Sequence, residues 1–137
     1  MRILIDSNLV FDVFERRQPH YAASNQILKL ARRGTVVGHV SSHTLANLFY
    51  LFGKPCVPFI RDSLLPHIEV TAGDAHQTQL ALRAGMSDFE DALQVAAALQ
   101  CRAAFIVTRN IRDFKRSPIP ALTPVEWIKR FGPGLKS

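Results

Sequence analysis

Short apolar runs alternate with longer segments of helical periodicity along the chain. Runs at Arg2–Ile5, Val36–Val40, Ile68–Thr71 and Ala103–Val107 have the length and composition of buried strands. A fifth strand is predicted within Ser117–Leu122, where two prolines confine it to an edge of the sheet. Because strands alternate with helices, the pattern predicts an α/β fold with a mostly parallel sheet of four to five strands and helices on both faces.

The segments between the strands carry apolar residues at three- and four-residue spacing, and they begin at residues that can cap a helix. Ser7 or Asn8 is expected to cap the first helix, and Ser41 or Ser42 the third. Glycines follow several helix ends, where a left-handed residue commonly closes the last turn. The predicted helices are Leu9–Arg16, Tyr21–Arg33, Thr44–Phe52, a short segment between Pro58 and Pro66, Ala75–Ala84, Asp88–Gln100, and one that follows a cap at Thr123 and runs to about Phe131.

The stretch Ser87–Leu99, SDFEDALQVAAAL, contains three carboxylates within four positions. Ser87 and Glu90 have the spacing of a capping box, which predicts a structural role for Glu90. Asp91 instead projects from the side of the helix that carries Val95, and that side should face a core. A carboxylate there must find a partner or change its pKa. The partner could be an arginine, a backbone amide, or a divalent cation shared with other acids.

The composition is that of one folded domain. The chain has 137 residues, of which 47% are apolar and 20% charged, and it has no linker-like break. We therefore expect a single domain over residues 1–131 and a flexible C-terminal tail over residues 132–137. No apolar run approaches the length of a membrane span, and the N-terminal MRILID lacks the features of a signal peptide. These observations predict a cytoplasmic protein that does not associate with a membrane.

Cysteine and histidine usage argues against two further classes of protein. Cys56 and Cys101 are far apart in the sequence and have no CxxC partner, so a disulfide framework is not expected. The five histidines show no HExxH spacing, and a zinc site is disfavoured.

The charge balance indicates a polyanionic partner. The formal net charge is +6 at pH 7, and basic pairs recur along the chain, although any single pair is more simply a solvated face. Nucleic acid is the usual partner of such a surface. A basic chain whose carboxylates gather at the ends of particular elements suggests a metal pocket inside a phosphate-attracting surface.

Three aspartates are predicted to meet at one edge of the sheet. Asp6 closes the first strand, Asp113 follows the fourth, and Asp91 lies at the start of the helix that precedes the fourth. If strands one and four are neighbours, these carboxylates converge beyond the carboxyl ends of the strands, where open α/β sheets place their sites. Oxygen ligands without Cys or His favour Mg²⁺ or Mn²⁺, which can activate a water for phosphodiester hydrolysis. The alternative is that an aspartate at a strand end only caps a helix.

Four segments of the chain together match the motifs of a known family. They are ILIDSNLVFDVF, VSSHTLANLFYLF, SDFEDALQVAAAL and AFIVTRNIRDFKRSPIPALTPVEWI. In this order, and over nearly the whole chain, they resemble the PIN domain family, in the bacterial group related to VapC-type toxins. DFEDALQ together with TRNxxDF is specific, whereas either motif alone is weaker. The resemblance implies a three-layer α/β/α sandwich and a Mg²⁺- or Mn²⁺-dependent ribonuclease, often a homodimer and often held inactive by an antitoxin.

Carried over to this sequence, the resemblance makes Asp6, Asp91 and Asp113 the catalytic and metal-binding acids. Polar residues near them are candidates for the outer shell of the metal, and basic residues after the fourth strand are candidates to bind RNA phosphates. The outer-shell candidates are Asn47, Asp88, Thr108, Asn110 and Ser7, and the RNA-binding candidates are Arg109, Arg112 and Lys115.

Asn47 departs from the pattern of the family. Many members carry a glutamate at this position of the third helix, and an amide has no charge and cannot act as a base. Two functions therefore stay open, a metal-dependent endoribonuclease and a PIN-fold module that binds RNA or protein without cutting. A phosphoacceptor receiver is a third hypothesis, but that class has paired acids early in the chain. Here Asp6 alone closes the strand, and Asp12 lies further along the helix.

Two aromatic-rich stretches, Leu9–Phe14 and Leu48–Phe52, carry more apolar surface than one helix face can bury. They are either part of the core or a dimer interface. Together with the resemblance, they favour a homodimer. The resemblance alone implies an antitoxin as a second protein partner, in addition to RNA.

Overall fold

The computed structural model describes residues 1–132 and contains one sheet of five strands. The strands are β1 (Arg2–Ile5), β2 (Val37–Ser41), β3 (Glu69–Thr71), β4 (Phe105–Val107) and β5 (Ala121–Leu122). Neighbouring strands all run parallel, in the order β3–β2–β1–β4–β5. The predicted parallel α/β fold is confirmed, and the segment with two prolines forms a short edge strand as expected. β1 and β4 are neighbours, which is the condition that the predicted site requires.

Helices connect the strands, and their ends agree with the prediction to within about two residues. The α-helices of the described part of the chain are α1 (Ser7–Glu15), α2 (Tyr21–Arg32), α3 (Ser42–Phe52), α4 (Ala75–Arg83), α5 (Phe89–Gln100) and α6 (Pro124–Phe131). Shorter helical turns cover Lys54–Cys56, Phe59–Leu64 and Ile111–Phe114.

The sheet separates two helical layers. Ile3 and Ile5 of β1 pack on the side that α1, α2, α3 and α6 cover, whereas Leu4 packs against α5 on the other side. Trp127 of α6 is fully buried in the first layer. On the second side, Ala97 and Ala98 of α5 are buried against the sheet, which permits a close approach of the helix. This arrangement is the three-layer α/β/α sandwich that the resemblance implied.

The capping residues of two helices differ from the prediction. Asp6, rather than one of the two residues after it, caps α1, and its Oδ1 accepts the Ser7 backbone N–H at 2.9 Å. Asp88, rather than Ser87, caps α5 and accepts the Asp91 backbone N–H at 2.9 Å. Hydroxyl and carboxylate side chains near a helix start can all act as caps, and the backbone path into the helix decides which one does. The predicted capping box of α5 is therefore wrong.

Gly132 has helical backbone angles and is buried at the end of α6, so it belongs to that helix end rather than to the predicted tail. Residues 133–137 of that tail lie outside the described residues. Cys56 and Cys101 are both free thiols. Among the helices of residues 1–132, none has the length and apolar character needed to cross a membrane.

Candidate active site

Asp6 lies at the carboxyl edge of the sheet, directly after β1, and is 8% exposed. Its Oδ1 accepts hydrogen bonds from the Ser7 backbone N–H at 2.9 Å and from Gln94 Nε2 at 2.7 Å. Its Oδ2 accepts from Thr108 Oγ1 at 2.7 Å and from Asn8 Nδ2 at 3.4 Å. These donors satisfy a buried carboxylate and fix its orientation. Asp6 is thus both a helix cap and the centre of a polar network.

Gln94 of α5 connects Asp6 to a chain of hydroxyl groups. Gln94 Nε2 also donates to Ser7 Oγ at 3.2 Å and to Thr44 Oγ1 at 3.4 Å. Thr44 Oγ1 lies 2.7 Å from Ser7 Oγ and 2.8 Å from Ser41 Oγ. The network joins the starts of α1 and α3 to the middle of α5, and it positions all three around Asp6. Sequence reasoning missed Gln94, although a glutamine on an alanine-rich, core-facing helix side is a recognisable feature.

Asp91 is half-buried in the first turn of α5 and lies between two cavities. The smaller cavity, of about 180 Å³, is lined in part by Asp6, Glu90 and Asp91. The larger, of about 760 Å³, is lined in part by Glu90, Asp91 and Asp113. Asp91 and Glu90 therefore border both cavities, Asp6 borders only the smaller, and Asp113 borders only the larger of the two.

The electrostatic surroundings of Asp91 are strongly acidic. Its pKa is raised to about 6, first because burial removes water from the carboxyl group. The negative charges of Asp88, Asp113, Asp6 and Glu90 raise it further. A divalent cation beside Asp91 would relieve this repulsion, and hard carboxylate oxygens are the donors that Mg²⁺ and Mn²⁺ prefer. The donor chemistry fits the predicted ion.

The carboxylates of the site do not converge on one position that a metal ion could occupy. Within residues 1–132, no three His, Cys, Asp or Glu side chains lie close enough together to form a metal-ion site. Asp88, at the start of α5, and Asp113, in the turn after β4, are both exposed and border the larger cavity. The predicted shared ion of Asp6, Asp91 and Asp113 stays a proposal, and holding it would require these side chains to move towards one another.

Arg109 makes an ion pair that differs from its predicted role. Its Nε and Nη2 donate to the Asp12 carboxylate at 2.7 and 3.0 Å, and Ser24 Oγ donates to Asp12 Oδ2 at 3.1 Å. Asp12 is fully buried on α1. The pair connects the loop after β4 to α1. The geometry favours a positioning role for Arg109 over the predicted contact with RNA.

Other basic residues after β4 line the larger cavity. Arg112, Lys115 and Arg116 border it and are exposed. Arg116 Nη1 donates to the backbone oxygen of Gly85 at 3.0 Å, which keeps its side chain at the cavity rim. The cations and the carboxylates of α5 therefore border the same cavity. Sequence reasoning had named Arg112 and Lys115 but not Arg116.

The third helix contributes polar but uncharged groups. Asn47 Nδ2 donates to Glu90 Oε1 at 3.4 Å, across the gap between α3 and α5. His43, one turn earlier, lines the smaller cavity, and burial lowers its pKa, while the charges of Glu90 and Asp6 partly oppose this shift. Neither His43 nor Glu90 was among the predicted site residues. Glu90 was omitted because the predicted capping box gave it a structural role.

The outer-shell candidates Thr108 and Asn110 lie beside Asp6. Thr108 is buried, donates to Asp6, and accepts the Asn110 backbone N–H at 3.0 Å. Asn110 is exposed and lines the smaller cavity. The loop after β4 therefore presents one buried hydroxyl and one accessible amide to the site.

Fold and site together define a parallel α/β sandwich whose acidic groups gather at the carboxyl edge of the sheet. They lie beside a basic wall, which consists of Arg112, Lys115 and Arg116. The chain belongs to the PIN domain family, because the family model described as a PIN domain matches residues 2–112.

Three solved structures are similar in fold. The first is VapBC2 from Rickettsia felis bound to a DNA fragment from its promoter. Its sequence is 23% identical to this chain and the TM-score is 0.64, and the alignment covers 90% of this chain and 98% of the matched chain. FitAcB from Neisseria gonorrhoeae is 20% identical with a TM-score of 0.65, covering 90% and 98%. A toxin–antitoxin complex from Klebsiella pneumoniae is 21% identical with a TM-score of 0.67, covering 89% and 97%. No curated protein sequence matches the chain.

Proposed function

We propose that the protein is a Mg²⁺- or Mn²⁺-dependent endoribonuclease and the toxin of a toxin–antitoxin pair. The observation that carries the proposal is the position of Asp91, half-buried between an acidic cavity and a cavity with a basic wall. A cation site beside a phosphate-attracting surface suits the hydrolysis of a phosphodiester. The similar K. pneumoniae structure is a toxin–antitoxin complex, which supports an antitoxin as the protein partner.

In this proposal Asp6, Asp91 and Asp113 hold the ion, which when bound supplies an activated water and stabilises the charge of the transition state. The chain's own groups position these acids. Thr108 Oγ1 and Gln94 Nε2 each donate to Asp6 at 2.7 Å. Asp88 caps α5 and so sets the direction in which Asp91 leaves the helix. Polar groups for water or substrate would come from the accessible candidates Ser7, Asn47 and Asn110.

RNA would lie along the larger cavity. Arg112 and Lys115 border that cavity, and their charges suit contacts to backbone phosphates that carry no sequence information. Arg116 joins them as a third candidate because its side chain is held at the same rim.

A homodimer is proposed through the outer face of α3. Phe49, Tyr50 and Leu51 are 47%, 87% and 56% exposed, whereas Phe11 and Phe14 of α1 pack against the core and against Phe52. The apolar side chains of α1 are thus buried inside the protein, whereas those on the outer face of α3 stay exposed.

A binding module without catalysis is the second candidate function. It is favoured by Asn47, which brings no charge to α3, and by the absence of a preformed three-ligand metal group within residues 1–132. In this case the basic wall would still bind RNA, but no cleavage would follow the addition of metal.

The experiment that separates the two is Mn²⁺-dependent cleavage of structured RNAs by the wild type and by Asp91→Asn. The nuclease proposal expects cleavage by the wild type that EDTA abolishes, and a loss of at least about a hundredfold in Asp91→Asn. Asp62→Asn is a matched control, because Asp62 is an exposed carboxylate that borders neither cavity. Equal cleavage by the wild type and Asp91→Asn, or none by either, would overturn the proposal.

A further inference from the structure

The smaller cavity brings together a different set of acids from the predicted one. Asp6, Glu90 and Asp91 line it, whereas Asp113 borders only the larger of the two cavities. Asp6 comes from the carboxyl end of β1, and the other two leave the first turn of α5 as neighbours in the sequence. Glu90 is therefore the third carboxylate at the cavity that contains Asp6.

The position of Glu90 is not explained by helix capping. Asp88 caps α5 and accepts the Asp91 backbone N–H, so the cap is complete without Glu90. Glu90 instead accepts a hydrogen bond from Asn47 Nδ2 at 3.4 Å, and this contact crosses from α5 to α3. The contact holds the exposed Glu90 carboxylate at the edge of the cavity.

A second observation in the same cavity indicates a missing donor. Gln94 lines the cavity and is 2% exposed, and its Nε2 is used by Asp6. Its Oε1 is buried and has no hydrogen-bond partner among residues 1–132. A buried amide oxygen without a donor costs about 1–3 kcal/mol, so it is normally matched by water or ligand. Water molecules on a bound cation would supply such donors beside the carboxylates.

We propose that Glu90 is a further ligand of the divalent cation that Asp6, Asp91 and Asp113 hold in the proposed function, and that Asn47 is its positioning residue. These carboxylates form no three-ligand group as they stand in residues 1–132, so they close towards the ion when it binds. This proposal rests on the proposed function for the identity of the ion. In this proposal the carboxylate that Asn47 does not provide on α3 comes from Glu90 on α5. Asn47 then serves the site by orienting a carboxylate rather than by binding the ion itself.

The test is calorimetric titration of the purified full chain with MnCl₂, without RNA, after circular dichroism has confirmed that each variant is folded. Glu90→Gln keeps the shape of the side chain and removes its charge, and we expect Mn²⁺ affinity to fall about tenfold or more. Glu15→Gln is the matched control: Glu15 is on α1, borders neither cavity, and its substitution should leave the affinity at the wild-type value.

A charge swap separates ligation from a structural role. In Glu90→Gln, the additional change Asn47→Glu returns one carboxylate to the same contact from the opposite helix. We expect the double variant to recover most of the lost affinity, which a residue needed only for packing would not do. Wild-type affinity in Glu90→Gln, a failure of the swap in a folded protein, or no Mn²⁺ binding by the wild type would each overturn the proposal.

Cleavage assays on the same variants distinguish this proposal from the proposed function. Mn²⁺ binding that depends on Glu90, without RNA cleavage by the wild type, would support the ligand assignment and reject the nuclease. Cleavage by the wild type together with unchanged Mn²⁺ affinity in Glu90→Gln would support the nuclease and reject Glu90 as a ligand.

Discussion

Arg109 donates to both carboxylate oxygens of Asp12, through Nε at 2.7 Å and Nη2 at 3.0 Å. Asp12 is fully buried on α1, so its charge is balanced inside the protein rather than by solvent. The Arg109 backbone N–H also donates to Asn8 Oδ1 at 3.4 Å, and Asn8 Nδ2 donates to Asp6. The ion pair therefore positions the loop after β4 relative to the site.

Arg109→Ala should lower the free energy of unfolding by about 3–5 kcal/mol, because it leaves a buried carboxylate without its partner. Urea denaturation at pH 7 measures this change. Arg112→Ala, at an exposed residue of the turn that follows, is the control and should change stability by less than about 0.5 kcal/mol. Similar losses in the two variants would contradict the assignment.

Gln94→Met should lower the free energy of unfolding by about 1–3 kcal/mol, since Asp6 Oδ1 loses its 2.7 Å donor while the volume of the side chain is kept. Gln94→Glu should cost more at pH 7, because it places a second negative charge beside Asp6. Gln79→Met on the exposed side of α4 is the matched control. If all three proteins unfold at the same urea concentration, the network does not stabilise the site.

Asp91→Asn should stabilise the metal-free protein at pH 7. The folded-state pKa of Asp91, about 6, lies above its ordinary value of 3.8, so folding favours the protonated form. Its contribution to stability is present below pH 3.8 and is lost as the pH rises through about 6. Solvent screening of this half-buried group limits the gain in Asp91→Asn at pH 7 to about 1 kcal/mol.

Thermal unfolding in EDTA at pH 7 and pH 4 measures this difference. The advantage of Asp91→Asn should shrink at pH 4, where wild-type Asp91 is largely protonated. Asp62→Asn serves again as the exposed control. An equal advantage at both pH values would argue against repulsion as its cause.

Arg112→Gln and Lys115→Gln should each weaken the binding of single-stranded RNA and lower the slope of log K against log salt by about 0.7. Fluorescence anisotropy in EDTA, which prevents cleavage, measures both quantities. Lys29→Gln is the control, because Lys29 is exposed on α2, in the helical layer on the opposite side of the sheet from α5. An unchanged salt slope in both test variants would place RNA elsewhere on the protein.

Tyr50→Glu should convert the proposed dimer to a monomer, since it places a charge in the centre of the exposed apolar face of α3. Sedimentation velocity at several protein concentrations tests this change. Leu82→Glu, at an exposed apolar residue of α4, is the matched control and should leave the mass unchanged. A wild-type protein that sediments as a monomer throughout would reject the dimer.

The class of the fold follows from local patterns in the chain. Short apolar runs and helical periodicity are local properties, and their alternation was sufficient to predict a parallel sheet between two helical layers. The order of elements also placed Asp6 and Asp113 after two strands, and those strands proved to be neighbours. The ends of the helices were predicted less accurately. Asp6 caps α1 instead of Ser7 or Asn8, and Asp88 caps α5 instead of Ser87.

Contacts between residues far apart in the chain could not be predicted from local patterns. Gln94 donates to Asp6 across 88 positions of the chain, and Arg109 pairs with Asp12 across 97. No local pattern distinguishes a glutamine that satisfies a buried carboxylate from one that faces water. Likewise, an arginine after a strand has the same sequence context whether it binds phosphate or a buried aspartate. These roles depend on distances and burial set by packing three layers together, and a linear spacing contains neither quantity.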